Sequence, residues 1–271
     1  MADLIVTGAG GRLGRILRAA WAEAPAPGLN PVWTGRGADL PVPWDMRADP
    51  PAGLPRGAVV LHLAGATPQG RDPDLRSNPG LVPPLLRMCR ETGARRLLFL
   101  SSAAVYPPGA LWPETAVLAP PGAYGRSKAE AEALAAAQTH TPVAILRAGN
   151  VAGADALLGP RPAGGIVLDP VPGRDGGPLR SWIGARVLAQ ALAALCRRDG
   201  LPPVLNLAQD PPLPMAGLLE AAGLPWRYGA TPAAVPVATQ DLGLLRSILP
   251  LPAAEPARLA AEAAWARGVL A

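Results

Sequence analysis

Five short apolar runs punctuate the first half of the chain: Leu4-Ile5-Val6-Thr7, Pro31-Val32-Trp33-Thr34, Val59-Val60-Leu61-His62-Leu63, Leu97-Leu98-Phe99-Leu100 and Val143-Ala144-Ile145-Leu146. Few polar residues alternate within them. A strand with one face in water alternates, so these runs predict strands covered on both faces, as in a parallel sheet. Between them apolar positions recur with helical spacing, first at Leu13-Gly14-Arg15-Ile16-Leu17 and then over 81–92 and 124–138. Strands alternating with helices predict right-handed crossovers and a doubly wound α/β sheet.

Beyond about Gly153 the rhythm changes to Pro- and Gly-rich loops. Helices are predicted over 182–198, 215–222 and 253–269, with a strand at Val204-Leu205-Asn206-Leu207. The chain thus divides into a sheet domain, 1–153, and a smaller lobe, 154–271, that does not fold by itself. Ligands of doubly wound proteins bind beyond the carboxyl ends of the strands, so a pocket is expected between the two parts.

Composition narrows the class. Pro 35 and Gly 31 approach the level of low-complexity chains, but 49% hydrophobic residues in well-placed runs argue for a compact protein with proline-rich loops. No apolar stretch is long enough to span a bilayer, and no basic segment leads into an apolar one at the N-terminus, so a soluble, cytoplasmic protein without a membrane partner is expected. Cys89 and Cys196 lie inside helical patterns and two His complete no zinc constellation, so no metal is expected. The net charge of +5 comes from dispersed Arg without interleaved aromatics. That pattern points away from nucleic acid and toward a basic pocket for an anionic small molecule.

Two motifs carry candidate chemistry. Thr7-Gly8-Ala9-Gly10-Gly11-Arg12-Leu13-Gly14 joins the first strand to the first helix. In that context Gly8 permits a tight turn, Gly11 lets the backbone approach a pyrophosphate, and Gly14 lets the helix pack closely, while the helix N-terminus offers N–H groups and positive potential. After the second strand comes Thr34-Gly35-Arg36 rather than an acidic residue. Arg36, with Arg12, could pair a ribose 2'-phosphate, which favours NADP; Asp39 nearby leaves NAD open.

The second motif is Tyr124-Gly125-Arg126-Ser127-Lys128. Lys128 is the only lysine, all other basic residues being Arg, and three Tyr would place one four positions before it by chance roughly once in 90 such chains. An ammonium is a compact point charge that can approach both a ribose hydroxyl and a phenol, as a forked guanidinium cannot. On one helix face the charge would draw the Tyr124 phenol toward phenolate, below its usual value of about 10.

Gly8, Gly11 and Gly14, Ser101-Ser102-Ala103-Ala104-Val105-Tyr106, and Tyr124 with Lys128 together resemble an extended short-chain dehydrogenase/reductase of the NAD(P)-dependent epimerase/dehydratase type, over nearly the whole chain. The resemblance implies a Rossmann-type doubly wound parallel sheet with a small C-terminal substrate-binding lobe. It implies that Ser102, Tyr124 and Lys128 are catalytic, with Ser102 orienting the substrate oxygen, Tyr124 as acid/base and Lys128 holding the nicotinamide ribose. Gly10, Arg12 and Leu13 join the glycines of the cofactor loop, Asp45 and Met46 would contact adenine, and Leu63, Ala64 and Gly65 would flank the cofactor. Within Leu146-Arg147-Ala148-Gly149-Asn150-Val151, Val151 would line the nicotinamide and Asn150 reach the substrate. Asn78 resembles the helix asparagine near such sites, and Arg180 the arginine that contacts a substrate diphosphate.

Plainer readings stand beside these: Ser101 and Ser102 as strand-end caps, His62 as a core residue, Tyr106 as loop packing and Arg180 as a surface arginine. The chain also departs from the pattern. Pro107 follows Tyr106 where glycine is usual, and Ala103-Ala104 replaces the Asp-Glu pair of sugar 4,6-dehydratases, which argues against dehydration. Residues 154–271 are few for enclosing a large nucleotide sugar, so a smaller carbonyl substrate is also credible. The expected activity is hydride transfer at a carbonyl/hydroxyl carbon of a sugar, nucleotide sugar or smaller carbonyl compound by a reductase or epimerase, reduction being preferred because NADP is typically exchanged each turnover. The competing class is a non-catalytic NADP-sensing regulatory protein. Such folds often form homodimers through helices.

Overall fold

The computed structural model describes residues 2–37, 39–68, 74–160 and 165–271. Each apolar run forms a strand: β1 (Ala2–Thr7), β2 (Leu29–Gly35) and, after a short β3 (Val42–Pro43), β4 (Val59–His62) and β5 (Arg96–Ser102). There follow β6 (Gly109–Trp112), β7 (Val143–Ala148), β8 (Asn150–Val151), β9 (Ile166–Leu168), β10 (Leu179–Ile183), β11 (Val204–Leu207), β12 (Gln209–Pro214), β13 (Trp226–Tyr228) and β14 (Val237–Gln240). The helices are α1 (Arg12–Glu23), α2 (Ser77–Gly80), α3 (Val82–Thr92), α4 (Ala123–Ala136), α5 (Ala185–Arg197), α6 (Met215–Ala221), α7 (Gly243–Ile248) and α8 (Pro256–Leu270).

Seven strands form one parallel sheet in the order β11-β7-β5-β4-β1-β2-β3. Successive strand residues face opposite sides, and both sides are dry. Leu4, Val6, Leu61 and Leu98 pack with Leu17 and Trp21 of α1 and Leu188 and Leu192 of α5. Ile5, Val60, Leu97 and Phe99 pack with Leu85 and Met88 of α3 and Ala131 and Ala135 of α4. Each large side chain so buried contributes roughly 1.5–3 kcal/mol, which is why the runs lack polar alternation.

The strand order reverses between β1 and β4. Chain leaving β1 goes to β2 on one side and later returns to β4 on the other, which opens a crevice at their carboxyl ends. A second sheet, β12-β10-β14-β6 with β8 beside β10, stands beyond that end. The segments 1–153 and 154–271 interleave: β6 joins the second sheet, whereas β11 returns to the edge of the main sheet beside β7. No described helix is long and apolar enough to cross a membrane.

Candidate functional site

The glycine loop lies in the crevice between β1 and β4. Gly8 has a positive φ of 79°, and a Cβ there would come 2.5 Å from the Ala64 nitrogen, so loop and β4 turn touch. At Gly14 a Cβ would fall on the Gly8 carbonyl oxygen, so this glycine lets α1 start directly against the turn. At Gly10 a Cβ would make only ordinary contacts, 3.9 Å from the Gly37 nitrogen and from Leu40 Cδ1. The opening turn of α1 has neither a side-chain cap nor an acidic residue, leaving positive potential at the crevice. A dinucleotide pyrophosphate fits this cradle. Leu13 packs into the core behind it, and Arg12 reaches across to donate to the Ala154 carbonyl at 3.4 Å.

Ser102 ends β5, and its Oγ accepts from the Ala104 amide at 3.2 Å, opening the 3-10 turn Ala103–Val105. The capping role is therefore present. The same residue also acts on the Tyr124 phenol, opposing the rise that burial gives its pKa, so capping does not exclude a part in the site. Gly125 brings the two together: a Cβ there would collide with the Ala104 carbonyl oxygen, and its absence lets the first turn of α4 rest on the 3-10 turn.

Lys128 is buried one turn along α4. Its Nζ donates to the Leu100 carbonyl at 2.8 Å and lies 5.1 Å from the centre of the Phe99 ring. Burial pulls its pKa from 10.5 to about 8, against the opposing charge of Glu132. The expected tuning of Tyr124 by Lys128 is not found. Burial raises the phenol pKa, Ser102 opposes that, and the ammonium is instead bonded to a strand carbonyl. The phenol is thus held in its protonated form.

Around these residues, Asn78 is a crosslink. Its Oδ1 accepts from the Ala66 amide at 2.7 Å, and its Nδ2 donates to the Ala66 carbonyl at 3.1 Å and to Ser127 Oγ at 2.9 Å. It fixes the 64–66 turn to α4, while Leu63 donates to the Thr7 carbonyl across the crevice. A Cβ on Gly65 would lie 2.8 Å from Asn78 Oδ1. His62 is a core residue as the plainer reading held: it is bonded to Thr7 Oγ1 at 2.7 Å, stacked on Phe99, and burial first and Lys128 second push its pKa down to about 3.

The outlying candidates are distributed along the same edge. Arg36 is exposed just past β2, where its charge acts on Asp45, already paired to Arg47 at 2.6 Å and held at a pKa of about 2. Asp39 pairs with Arg18 at 3.2 Å. Met46 is buried, and a cavity of about 520 Å³ lies beside it, lined also by Arg47, Gly80, Pro83, Pro84 and Arg87. Asn150 and buried Val151 pair with Trp182 and Ile183 of β10. Arg180 is not a plain surface arginine. Half-buried, it donates to the carbonyls of Leu179 (2.8 Å) and Val235 (2.7 Å), has no salt bridge among the described residues, and is lowered by burial to a pKa of about 10.

Sequence reasoning missed a buried polar network behind the site. Arg147 forks onto Glu132, Nη2 to Oε2 at 2.8 Å, and its Nη1 donates to Tyr106 Oη at 2.9 Å. Tyr106 in turn donates to Asn206 Oδ1 at 2.8 Å, where Gln240 Nε2 also donates at 2.9 Å. Tyr106 therefore does more than pack a loop. The one available signal was Arg147 inside an apolar strand pattern.

Residues 56–208, which include Ser102, Tyr124 and Lys128, match the model of the NAD dependent epimerase/dehydratase family. No curated protein matches the chain. Among solved structures, MoeE5 in complex with UDP-glucose and NAD is 25% identical over all of both chains, with a TM-score of 0.76. A UDP-glucose-4-epimerase from Stenotrophomonas maltophila, with bound NAD and formylated UDP-arabinopyranose, is 22% identical over 100% of this chain and 99% of its own, with a TM-score of 0.77. The UDP-glucuronic acid 4-epimerase from Bacillus cereus, in complex with UDP-glucuronic acid and NAD, is 18% identical over 98% and 99%, with a TM-score of 0.74. The last two likenesses show the Rossmann-type fold alone. Because the family pattern runs through more than half of the sequence, from the strand before the crevice to the closing edge strand, this chain belongs to the NAD-dependent epimerase/dehydratase family.

Proposed function

We propose that the chain is an NAD(P)-dependent oxidoreductase or epimerase that moves hydride at a carbonyl/hydroxyl carbon of a sugar carried on a nucleoside diphosphate, with Tyr124 as acid/base. The observation that carries this reading is the first turn of α4 resting on the turn that Ser102 opens at the carboxyl end of β5, which sets Tyr124 beside Ser102, with Lys128 one turn further along α4. When bound, the nicotinamide supplies the hydride donor or acceptor. The α1 N-terminus and the Gly8–Gly11 turn take the pyrophosphate, and Lys128 donates to the ribose hydroxyls. Ser102 orients the substrate oxygen, and Tyr124 exchanges a proton with that oxygen. Burial raises the phenol pKa, and the protonated phenol is the state that delivers a proton to a carbonyl being reduced.

Arg180 is the proposed partner of the substrate diphosphate: a half-buried cation with no carboxylate partner among the described residues is suited to a phosphate oxygen. The short second lobe no longer argues for a smaller substrate, since the match to MoeE5, described with UDP-glucose and NAD, spans all of both chains. NADP is the preferred cofactor, because Arg36 is exposed where an acidic residue would otherwise meet the ribose. The deciding experiment identifies nucleotide released from purified protein, titrates NADPH against NADH, and screens UDP-sugars for turnover. Exchangeable NADPH with turnover supports a reductase, and tightly retained NAD an epimerase. Cofactor binding without turnover of any carbonyl or sugar substrate would favour the regulatory reading, and binding of neither nucleotide would end the proposal.

A further inference from the structure

Lys128 and Glu132 occupy adjacent turns on the inner face of α4, and both are almost wholly buried, at 6% and 3% exposure. An ammonium in such a place is costly unless an opposite charge accompanies it. Its hydrogen bond to the Leu100 carbonyl supplies a dipole and no charge. The groups that face it from each packed element are few. From β4 comes neutral His62; from β5, the Phe99 ring and the Leu100 carbonyl; from the 64–66 turn, Gly65, whose Cβ position is 4.0 Å from Nζ; and from α4 itself, Tyr124 and Glu132. Glu132 is the one carboxylate in this set.

Glu132 is also held from the other side. Arg147 Nε donates to its Oε1 at 3.3 Å and Oε2 at 3.1 Å, and Nη2 to Oε2 at 2.8 Å. The guanidinium is itself anchored by Tyr106 Oη at 2.9 Å and the Glu114 carbonyl at 3.0 Å. The carboxylate is therefore held in contact by Arg147, with Lys128 one helical turn away beyond ion-pair distance, and it cannot swing to solvent. Its charge raises the Lys128 pKa against the desolvation that lowers it.

We propose that Glu132, locked by Arg147, is the positioning residue of Lys128: its carboxylate is the counter-charge that keeps the buried ammonium protonated at neutral pH. The functional meaning rests on the reading of Lys128 as ribose anchor; the charge relation does not. Because Lys128 is the only lysine, protein grown with isotope-labelled lysine gives a single side-chain NMR signal whose titration belongs to this residue. The native midpoint is expected at about 8. In Glu132→Gln it falls by about one unit or more, and Glu132→Asp restores part of the fall. NADPH affinity of Glu132→Gln drops increasingly between about pH 6 and pH 8 as the ammonium is lost. If leaving Arg147 unpaired unfolds the single variant, Glu132→Gln with Arg147→Met removes both charges; the midpoint still falls, by less than in the single variant, because the repelling guanidinium is gone with the carboxylate. An unchanged midpoint in either folded variant overturns the proposal, and so does loss of the fold in both, which would make the pair structural only. Native protein that binds neither NADPH nor NADH would remove the proposed function while leaving the midpoint comparison intact.

Discussion

Position 128 holds an ammonium between an aromatic ring at 5.1 Å and a strand carbonyl at 2.8 Å, in a chain whose other basic residues are all arginine. A planar fork with five donors would leave several of them unsatisfied in that space, whereas an ammonium is small enough to be buried. Its burial has a consequence for stability. The folded pKa of about 8 lies below the ordinary 10.5, so between these values the unfolded chain binds the extra proton and stability rises with pH. The contribution is fully present above pH 10.5 and is lost as pH falls through 8. Relative to Lys128→Met, native stability should gain about 3 kcal/mol across that window, read from denaturant unfolding of both proteins at several pH values. A flat difference would show that the ammonium is solvated.

The acid/base role of Tyr124 is tested at the same scale. Tyr124→Phe should lower kcat by roughly 10²–10⁴-fold on any substrate the native protein turns over. NADPH affinity should be almost unchanged, because the phenol lies beside Ser102 and not in the glycine loop. Near-native turnover by the variant would refute the assignment. The Tyr–Lys spacing was legible because it lies within one helix. The state of the phenol was not, because burial depends on every element packed around it.

At the scale of elements, α4 is the piece on which the site depends. Its inward face carries Ser127, Lys128 and Glu132 among Gly125, Ala131 and Ala135, so polar side chains sit where an amphipathic helix would be apolar. Small residues allow close approach and buried partners satisfy the polar ones. Gly125→Val should therefore push α4 off the Ala103–Val105 turn, since the Cβ meets the Ala104 carbonyl. We expect a loss of stability of about 1–3 kcal/mol, with turnover falling further than stability alone explains because Ser102 and Tyr124 separate. Thermal unfolding and kcat measured on the same variant check this. The spacing of apolar residues marked the helix within a residue or two of its observed ends at 123 and 136. Local spacing carried no trace of Asn78 reaching Ser127 across 49 residues or of Arg147 reaching Tyr106 across 41.

For the molecule as a whole, the crevice proposed for the cofactor is formed by the first loop together with the β4 turn, and the second sheet stands beyond it. A nucleotide bound there bridges segments far apart in sequence and binds only the folded state. Saturation at 100 times Kd should add about 2.7 kcal/mol, seen as a raised Tm with NADPH. The same shift should be abolished in Gly8→Val, where the side chain meets both a positive φ and the Ala64 backbone; a retained shift would place the nucleotide elsewhere.

The alternation of buried runs with helical periods, the glycine loop and the Tyr124–Lys128 spacing were determined by the sequence itself. Each is a pattern among near neighbours, where periodicity and backbone chemistry act directly. Only the tertiary structure decided that β6 leaves the first segment for the second sheet while β11 returns to the first. It also decided that Arg180 is bound to two carbonyls, that Glu132 is held by Arg147, and that burial raises the pKa of the Tyr124 phenol. Those outcomes depend on which distant groups meet and on how much water they exclude, quantities that come into being only when the sheet closes and the helices dock.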